Sequence, residues 1–92
     1  MDEPLTSSDR QRLRRAGREL PVAAQVGKAG VTAAVASLVS ALLTDRELVK
    51  VRIGPSDKAG RREAAAQLAQ RTGSILVGVL GRTALLYRRI DN

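Results

Sequence analysis

Hydrophobic and polar residues along this 92-residue chain follow two periods, one typical of helices and the other of strands. Apolar residues recur at spacings of three and four over residues 32–44, which predicts a core helix with one apolar stripe pressed against a sheet. Over residues 47–53 the alternation is one for one, and it places Val49, Val51 and Ile53 on one face. We therefore expect a strand with one face in the core and one positively charged face toward water.

The amino-terminal segment predicts a short first helix that runs to about Ala16, with Gly17 placed to end it. Thr6 or Ser7 can cap its start, and Asp9 stands three residues after Thr6, as in a capping box. Its outer face carries five arginines, Arg10, Arg12, Arg14, Arg15 and Arg18. These arginines are either a solvated face or an extension of a surface that binds nucleic acid, and the pattern leaves both interpretations open.

Two further segments continue the alternation of strands and helices. Residues 22–26 predict a short strand that leads into the core helix. Ser56 and Asp57 can cap a third, alanine-rich helix that ends at Thr72, followed by Gly73 as a helix terminator. The alanines would let this helix lie close to the sheet.

The carboxyl-terminal segment predicts a β-hairpin. Strands are predicted over residues 75–80 and 83–89, and Gly81 supplies the positive φ that a tight turn requires. The element order α-β-α-β-α-β-β predicts a two-layer α/β domain with a mixed four-stranded sheet and helices on one face. We expect residues 1–92 to form a single domain in which residues 1–5 are flexible. The strand order is not readable from the pattern.

The tetrapeptide Gly27-Lys28-Ala29-Gly30 joins the first predicted strand to the core helix. Glycines at both ends let the backbone approach a phosphate, and the start of the following helix adds unpaired N–H donors and partial positive charge. KH modules clamp the sugar-phosphate backbone of RNA with a GxxG loop of this kind. A sharp strand-to-helix turn can also need glycine for its backbone angles alone, so the tetrapeptide by itself is a weak signal.

The charge and composition of the chain favour binding over catalysis. Sixteen Lys and Arg residues against nine Asp and Glu residues produce a net charge of +7, and such a field collects polyanions. The absence of His and Cys removes the commonest general base, the commonest metal ligand and the thiolate nucleophile. The carboxylates show no pairing at a useful spacing for acid–base chemistry. We expect no catalytic residues, no metal, no cofactor and no small-molecule substrate.

The hydropathy pattern also bears on location. No apolar run approaches the roughly eighteen residues of a membrane span, and the first residues are acidic, unlike those of a signal peptide. We expect a cytoplasmic monomer with RNA as its partner and no contact with a membrane.

Basic side chains outside the glycine loop are further candidate contacts. Lys50 and Arg52 alternate outward from the second predicted strand, Arg82 lies at the hairpin tip, and Arg88 lies near the end of the last strand. Whether they share one surface with Lys28 depends on the strand order. A protein-interaction module that docks an acidic partner has the same charge, and only the glycine loop favours RNA over that alternative.

Four segments together resemble the CRM domain, specifically the small stand-alone YhbY-like proteins of bacteria. In chain order they are VGKAGVT (26–32), ELVKV (47–51), RTG (71–73), and GRT with LLYR (81–83 and 85–88). The resemblance covers roughly residues 5 to 90. It departs at Arg89, where family members often have Gly or Pro.

The resemblance implies a fold related to the C-terminal domain of translation initiation factor three and no catalytic activity. It also implies RNA binding through the glycine loop and a nearby basic surface, and association with precursors of the large ribosomal subunit. Position by position, it assigns the loop to residues 27–30 and the basic contacts to Lys50, Arg82 and Arg88. The full set of predicted RNA-binding residues is Gly27, Lys28, Ala29, Gly30, Lys50, Arg52, Arg82, Arg88, Arg14 and Arg15.

Overall fold

The sheet of this protein has four strands, and its topology follows from one parallel and two antiparallel pairings. The structure is a computed structural model that describes residues 5–90. Its elements are α1 (Ser7–Arg18), β1 (Ala24–Val26), α2 (Ala33–Asp45), β2 (Leu48–Ile53), α3 (Lys58–Thr72), β3 (Ile75–Leu80) and β4 (Thr83–Tyr87). The strand order is β1-β2-β4-β3, with β1 parallel to β2, and β4 antiparallel to β2 and to β3. The predicted α/β class and mixed four-stranded sheet are confirmed.

A capping box begins α1, as predicted. The Asp9 N–H donates to Thr6 Oγ1 at 3.0 Å, and the Thr6 N–H donates to Asp9 Oδ2 at 3.1 Å. These hydrogen bonds with Thr6, together with one from Arg12, hold the pKa of the Asp9 carboxyl below its usual value. The Asp9 cap therefore stabilises the folded state fully at pH values above the pKa that Asp9 has in the unfolded chain. This stabilisation is lost as the pH falls through the pKa of Asp9 in the folded state.

The prediction that Gly17 ends α1 is wrong, because this glycine lies inside the helix and is buried against β4. A Cβ placed on Gly17 would lie 2.7 Å from Cδ2 of Leu85. The missing side chain lets the helix approach the sheet at this point. The helix continues to Arg18, and Glu19 then caps it through its backbone N–H.

The helices occupy both faces of the sheet, which corrects the prediction of two layers with all helices on one face. α2 and α3 cover one face, and fully buried side chains lie between them and the sheet. This cluster includes Val39, Leu43, Val51, Leu68 and Leu86. α1 packs on the opposite face through Leu13, which contacts Val77 and Leu85. Part of the evidence for helices on both faces was present in the sequence of β4. Apolar residues fill both alternating positions of this strand, which indicates a strand covered on both sides.

Residues at the start of the chain also contribute to this second cluster. Leu5 packs against it, together with Leu20 and Leu48. Of the five residues predicted to be flexible, the structure describes only Leu5. Residues 1–4 lie outside the described residues.

Two arginines fasten α1 to β3 at a β-bulge. The pairing of β3 with β4 shifts register between Leu76 and Gly78, which frees the Val77 carbonyl for other donors. Arg10 Nη1 donates to this carbonyl at 3.2 Å, and Arg14 Nη2 approaches it at 3.4 Å. These two arginines therefore turn toward the sheet, whereas the sequence pattern placed them on the outer face of α1.

Arg88 joins the carboxyl-terminal turns of α2 and α3. Its Nη1 donates to the Thr72 carbonyl at 2.6 Å and to Ser40 Oγ at 3.0 Å. Its Nη2 donates to the Ser40 carbonyl at 2.6 Å and to Thr44 Oγ1 at 3.2 Å. A cation at this position satisfies the Thr72 carbonyl at the end of α3, adds a donor to the Ser40 carbonyl of α2, and complements the negative ends of two helix dipoles.

We predict that Arg88→Ala lowers the free energy of unfolding by about 2–4 kcal/mol, because several hydrogen bonds from a charged donor are lost together. Urea denaturation followed by circular dichroism measures this change. Arg71→Ala is the matched control, since it removes the same charge from an exposed position in the last turn of α3. The control should lose less than about 1 kcal/mol. Equal losses in the two variants would contradict the structural role of Arg88.

Candidate nucleic-acid interface

Three loops meet at one edge of the sheet. β1, β2 and β3 all point their carboxyl ends toward this edge, and the antiparallel β4 begins there. The edge therefore carries the tetrapeptide 27–30 after β1, the segment 54–57 after β2, and the turn at residues 81–82. The strand order, which the sequence left open, brings the glycine loop and the hairpin tip to the same end of the molecule.

The glycine loop is a hydrogen-bonded turn that is exposed to solvent. The Gly30 N–H donates to the Gly27 carbonyl at 3.0 Å, and Gly30 has a φ of 79°, which non-glycine residues rarely adopt. Gly27, Lys28 and Ala29 are exposed. Among residues 5–90, no atom outside the local chain lies within 4 Å of a Cβ placed on Gly27, so a ligand can approach the backbone there.

Gly54 supports this loop from the neighbouring strand, and it was not among the predicted site residues. Its N–H donates to the Val26 carbonyl at 2.6 Å, and a Cβ on Gly54 would lie only 2.6 Å from that oxygen and 3.3 Å from the Gly27 Cα. No side chain fits between the two segments. The sequence signal for this role is a glycine directly after a predicted strand.

The start of α2 leaves its positive end uncompensated. Its N-cap is the neutral Thr32, whose Oγ1 accepts the Val35 N–H at 3.2 Å, and its first turn contains no acidic residue. The neighbouring α3, by contrast, has the Asp57 carboxylate as its N-cap, bonded to the Gly60 N–H at 2.7 Å. Of the two helix N-termini at this edge, that of α2 is the more favourable binding site for an anion.

The hairpin tip is tied to both β2 and α3. The Ile53 N–H donates to the Arg82 carbonyl at 2.7 Å, so Arg82 is two strand spacings, about 10 Å, from the glycine loop. Arg61 Nε donates to the Gly81 carbonyl at 3.1 Å and its Nη1 to the Ser56 carbonyl at 2.7 Å. The Arg82 side chain is thus exposed on a fixed backbone.

The α1 face of the sheet brings further cations toward this edge. Arg52 is exposed and pairs in register with Gln25 of β1 and Thr83 of β4. It lies two residues from Gly54, about 7 Å along the strand. Lys50 shares this face, is half-buried and lies further from the edge.

The remaining predicted residues separate into two groups. Arg14 lines the same cleft as Lys50, between α1 and the hairpin, and Arg15 is exposed on α1. Arg88 lies at the opposite end of the sheet, where helix carbonyls engage its guanidinium. The structure therefore brings together the loop, Arg52 and Arg82, places Lys50 and Arg14 beside them on one face, and does not bring Arg88 to this surface.

Within residues 5–90, His, Cys, Asp and Glu side chains form no group of three that could hold a metal ion. No helix in that range is sufficiently long and apolar to span a bilayer.

Comparison with solved structures supports the fold. The chain superimposes on the solution structure of the hypothetical protein SAV1595 from Staphylococcus aureus, for which RNA binding has been suggested, with a TM-score of 0.87. The sequences are 28% identical, and the match covers 97% of this chain and 93% of the other.

Comparison of sequences identifies the family. The chain is 29% identical over 85 residues to the probable RNA-binding protein PA4753 of Pseudomonas aeruginosa, covering 92% of this chain and 82% of the relative. It is 31% identical over 84 residues to the probable RNA-binding protein YqeI of Bacillus subtilis, covering 91% and 88%. The CRS1/YhbY (CRM) domain matches residues 5–88. The chain therefore belongs to the CRS1/YhbY (CRM) domain family.

Proposed function

We propose that this protein binds RNA, without catalysing a reaction, by holding the sugar-phosphate backbone on residues 27–30 and the start of α2. One observation carries the proposal: the glycine turn is solvent-exposed, is supported by Gly54, and lies beside the exposed cations Arg52 and Arg82. The names of PA4753 and YqeI, both probable RNA-binding proteins, support the same function.

The binding mechanism follows from the donors at this edge. Backbone N–H groups of the loop and of the first turn of α2 bond phosphate oxygens, and the Lys28 ammonium adds a mobile charge. Arg52 and Arg82 continue the contact along the α1 face and the hairpin tip. Contacts of this kind fix the position of the RNA and do not read its sequence directly.

Within this function we propose precursor RNA of the large ribosomal subunit as the target, bound during ribosome assembly. The support is the resemblance to stand-alone YhbY-like proteins carried by the segments that include residues 26–32 and 81–88.

We predict that Gly27→Leu lowers RNA affinity by roughly tenfold or more, because hydrogen bonds to a charged phosphate contribute about 1.5–3 kcal/mol each and the side chain blocks the approach. Fluorescence anisotropy with a labelled RNA measures the affinity. The fold should survive, since the space above Gly27 is open. Binding of polyglutamate, which stands for an acidic protein partner, should change little. Equal weakening for both ligands would favour a general charge-based docking module instead.

Gly30→Ala provides a second test with a matched control at Gly73. Both glycines have positive φ, 79° and 64°, so alanine costs each about 1 kcal/mol of stability. Gly73 ends α3 at the opposite end of the sheet. We predict that only Gly30→Ala weakens RNA binding, while thermal denaturation shows similar losses for both. Weakening of the same size in Gly73→Ala would assign the effect to stability rather than to the loop.

We predict a steep salt dependence of RNA binding. If about five phosphates are neutralised, the slope of log K against log salt is roughly −3.5 to −4.5. Titrations between about 50 and 200 mM KCl should show that Lys28→Gln reduces the magnitude of this slope by roughly 0.7–0.9. Arg71→Gln, far from the edge, should leave it unchanged. Binding insensitive to salt would refute a backbone-clamping mechanism.

We predict that crosslinking in cells, followed by sequencing of the attached RNA, enriches precursors of the large-subunit ribosomal RNA. Gly27→Leu expressed at the same level is the control, and it should lose this enrichment. Enrichment of unrelated RNAs would refute the ribosomal target while leaving RNA binding intact.

A further inference from the structure

We propose that the cleft between α1 and the β3–β4 hairpin holds one unstacked base of the bound RNA. This inference rests on the RNA-binding function proposed above and extends it, because the glycine loop by itself holds only the backbone. The cleft has a volume of about 310 Å³ and is lined from α1, β2 and the hairpin. That volume lies at the lower end of the range of about 300–1,000 Å³ typical of small-molecule sites.

The lining of the cleft combines an apolar floor with a cationic rim. Leu85 forms part of the floor, and Leu80, which is 80% exposed, stands at the mouth on the hairpin. The rim has three cations, two from the helix (Arg14 and Arg18) and one from strand β2 (Lys50). No carboxylate is among the residues that line it. A planar ring with weakly polar faces and a negative charge attached to it fits this arrangement, and a nucleotide has that chemistry.

Arg14 offers a stacking surface at the cleft. Its guanidinium lies over Gly78, since a Cβ on that glycine would be 3.2 Å from Nε and 3.5 Å from Nη2 of Arg14. The contact of Nη2 with the Val77 carbonyl holds the same group. The residue nevertheless remains exposed. Unstacked RNA bases pack on guanidinium planes as well as on aromatic rings. Because Tyr87 is the chain's only aromatic residue, a guanidinium is the more available stacking surface in this protein.

Two glycines let the walls of the cleft approach each other. Gly17 on α1 and Gly78 on β3 both line it, where a Cβ on Gly17 would clash with Leu85 and a Cβ on Gly78 would press on the Arg14 guanidinium. Lys50 connects the cleft to the glycine loop along β2, because Gly54 is only four residues, about 13 Å, further along this strand. A single RNA strand can therefore contact the loop with its backbone and the cleft with one base.

The test compares two charge-neutral cleft variants with a matched control, using a labelled single-stranded RNA of mixed sequence and the corresponding duplex. Leu80→Ala removes the exposed leucine at the mouth, and Gly78→Val displaces the Arg14 guanidinium that lies over this glycine. Each should weaken single-strand binding roughly five- to tenfold, Leu80→Ala through lost apolar contact and Gly78→Val through the displaced stacking surface, with an unchanged salt slope and unchanged duplex binding. Leu38→Ala removes another exposed leucine, 51% exposed, from α2 on the other face and should change nothing.

A second measurement uses nucleoside monophosphates directly. In ¹H–¹⁵N NMR titrations of the whole protein, AMP or UMP should shift the amides of Gly78, Leu80 and Thr83, whereas inorganic phosphate should not. Shifts of equal size with inorganic phosphate would overturn the proposal, because the cleft would then recognise only an anion.

The outcomes separate this proposal from the function on which it rests. If the wild-type protein binds no RNA, the proposed function itself fails. If it binds RNA through the loop but Leu80→Ala and Gly78→Val match Leu38→Ala, only the base-binding cleft is refuted. Equal weakening of single-strand and duplex binding would also refute it, since paired bases cannot enter. Weakened polyglutamate binding with unchanged RNA binding would assign the cleft to an acidic protein.

Discussion

The contact between Gly54 and the Val26 carbonyl is the constraint on which the candidate RNA surface depends. It joins the end of β2 to the start of the glycine loop at a distance that excludes any side chain. The parallel pairing of β1 with β2 brings these segments together, and the Ile53 N–H extends the connection to the Arg82 carbonyl. Loop, strand end and hairpin tip therefore form one continuous edge rather than three independent turns.

Arginine serves two purposes in this protein, and composition does not distinguish them. Arg10, Arg61 and Arg88 donate to backbone carbonyls and fasten elements together. Arg52 and Arg82 are exposed beside the glycine loop, where their charge is available to a polyanion. The count of sixteen Lys and Arg residues therefore overstates the number of cations available for binding, because some of these side chains fasten the fold.

Much of the local structure could be predicted, because each signal acts within a few residues. The capping box at Thr6, the left-handed Gly73 after α3 and the positive φ of Gly81 all follow from short-range chemistry, and the structure contains each of them. Gly17 was misassigned, because a glycine can end a helix or let it approach a sheet. Only the position of Leu85 decides between these two interpretations.

The sequence by itself determined the order of elements, the presence of a glycine-flanked loop before a helix and the family to which the chain belongs. Each of these depends on periodicity, spacing or residue identity over short stretches. The tertiary structure alone decided the strand order, the placement of α1 on the opposite face, the support of the loop by Gly54 and the remote position of Arg88. These depend on pairings between residues far apart in the chain, and no local pattern encodes which distant segments come into contact.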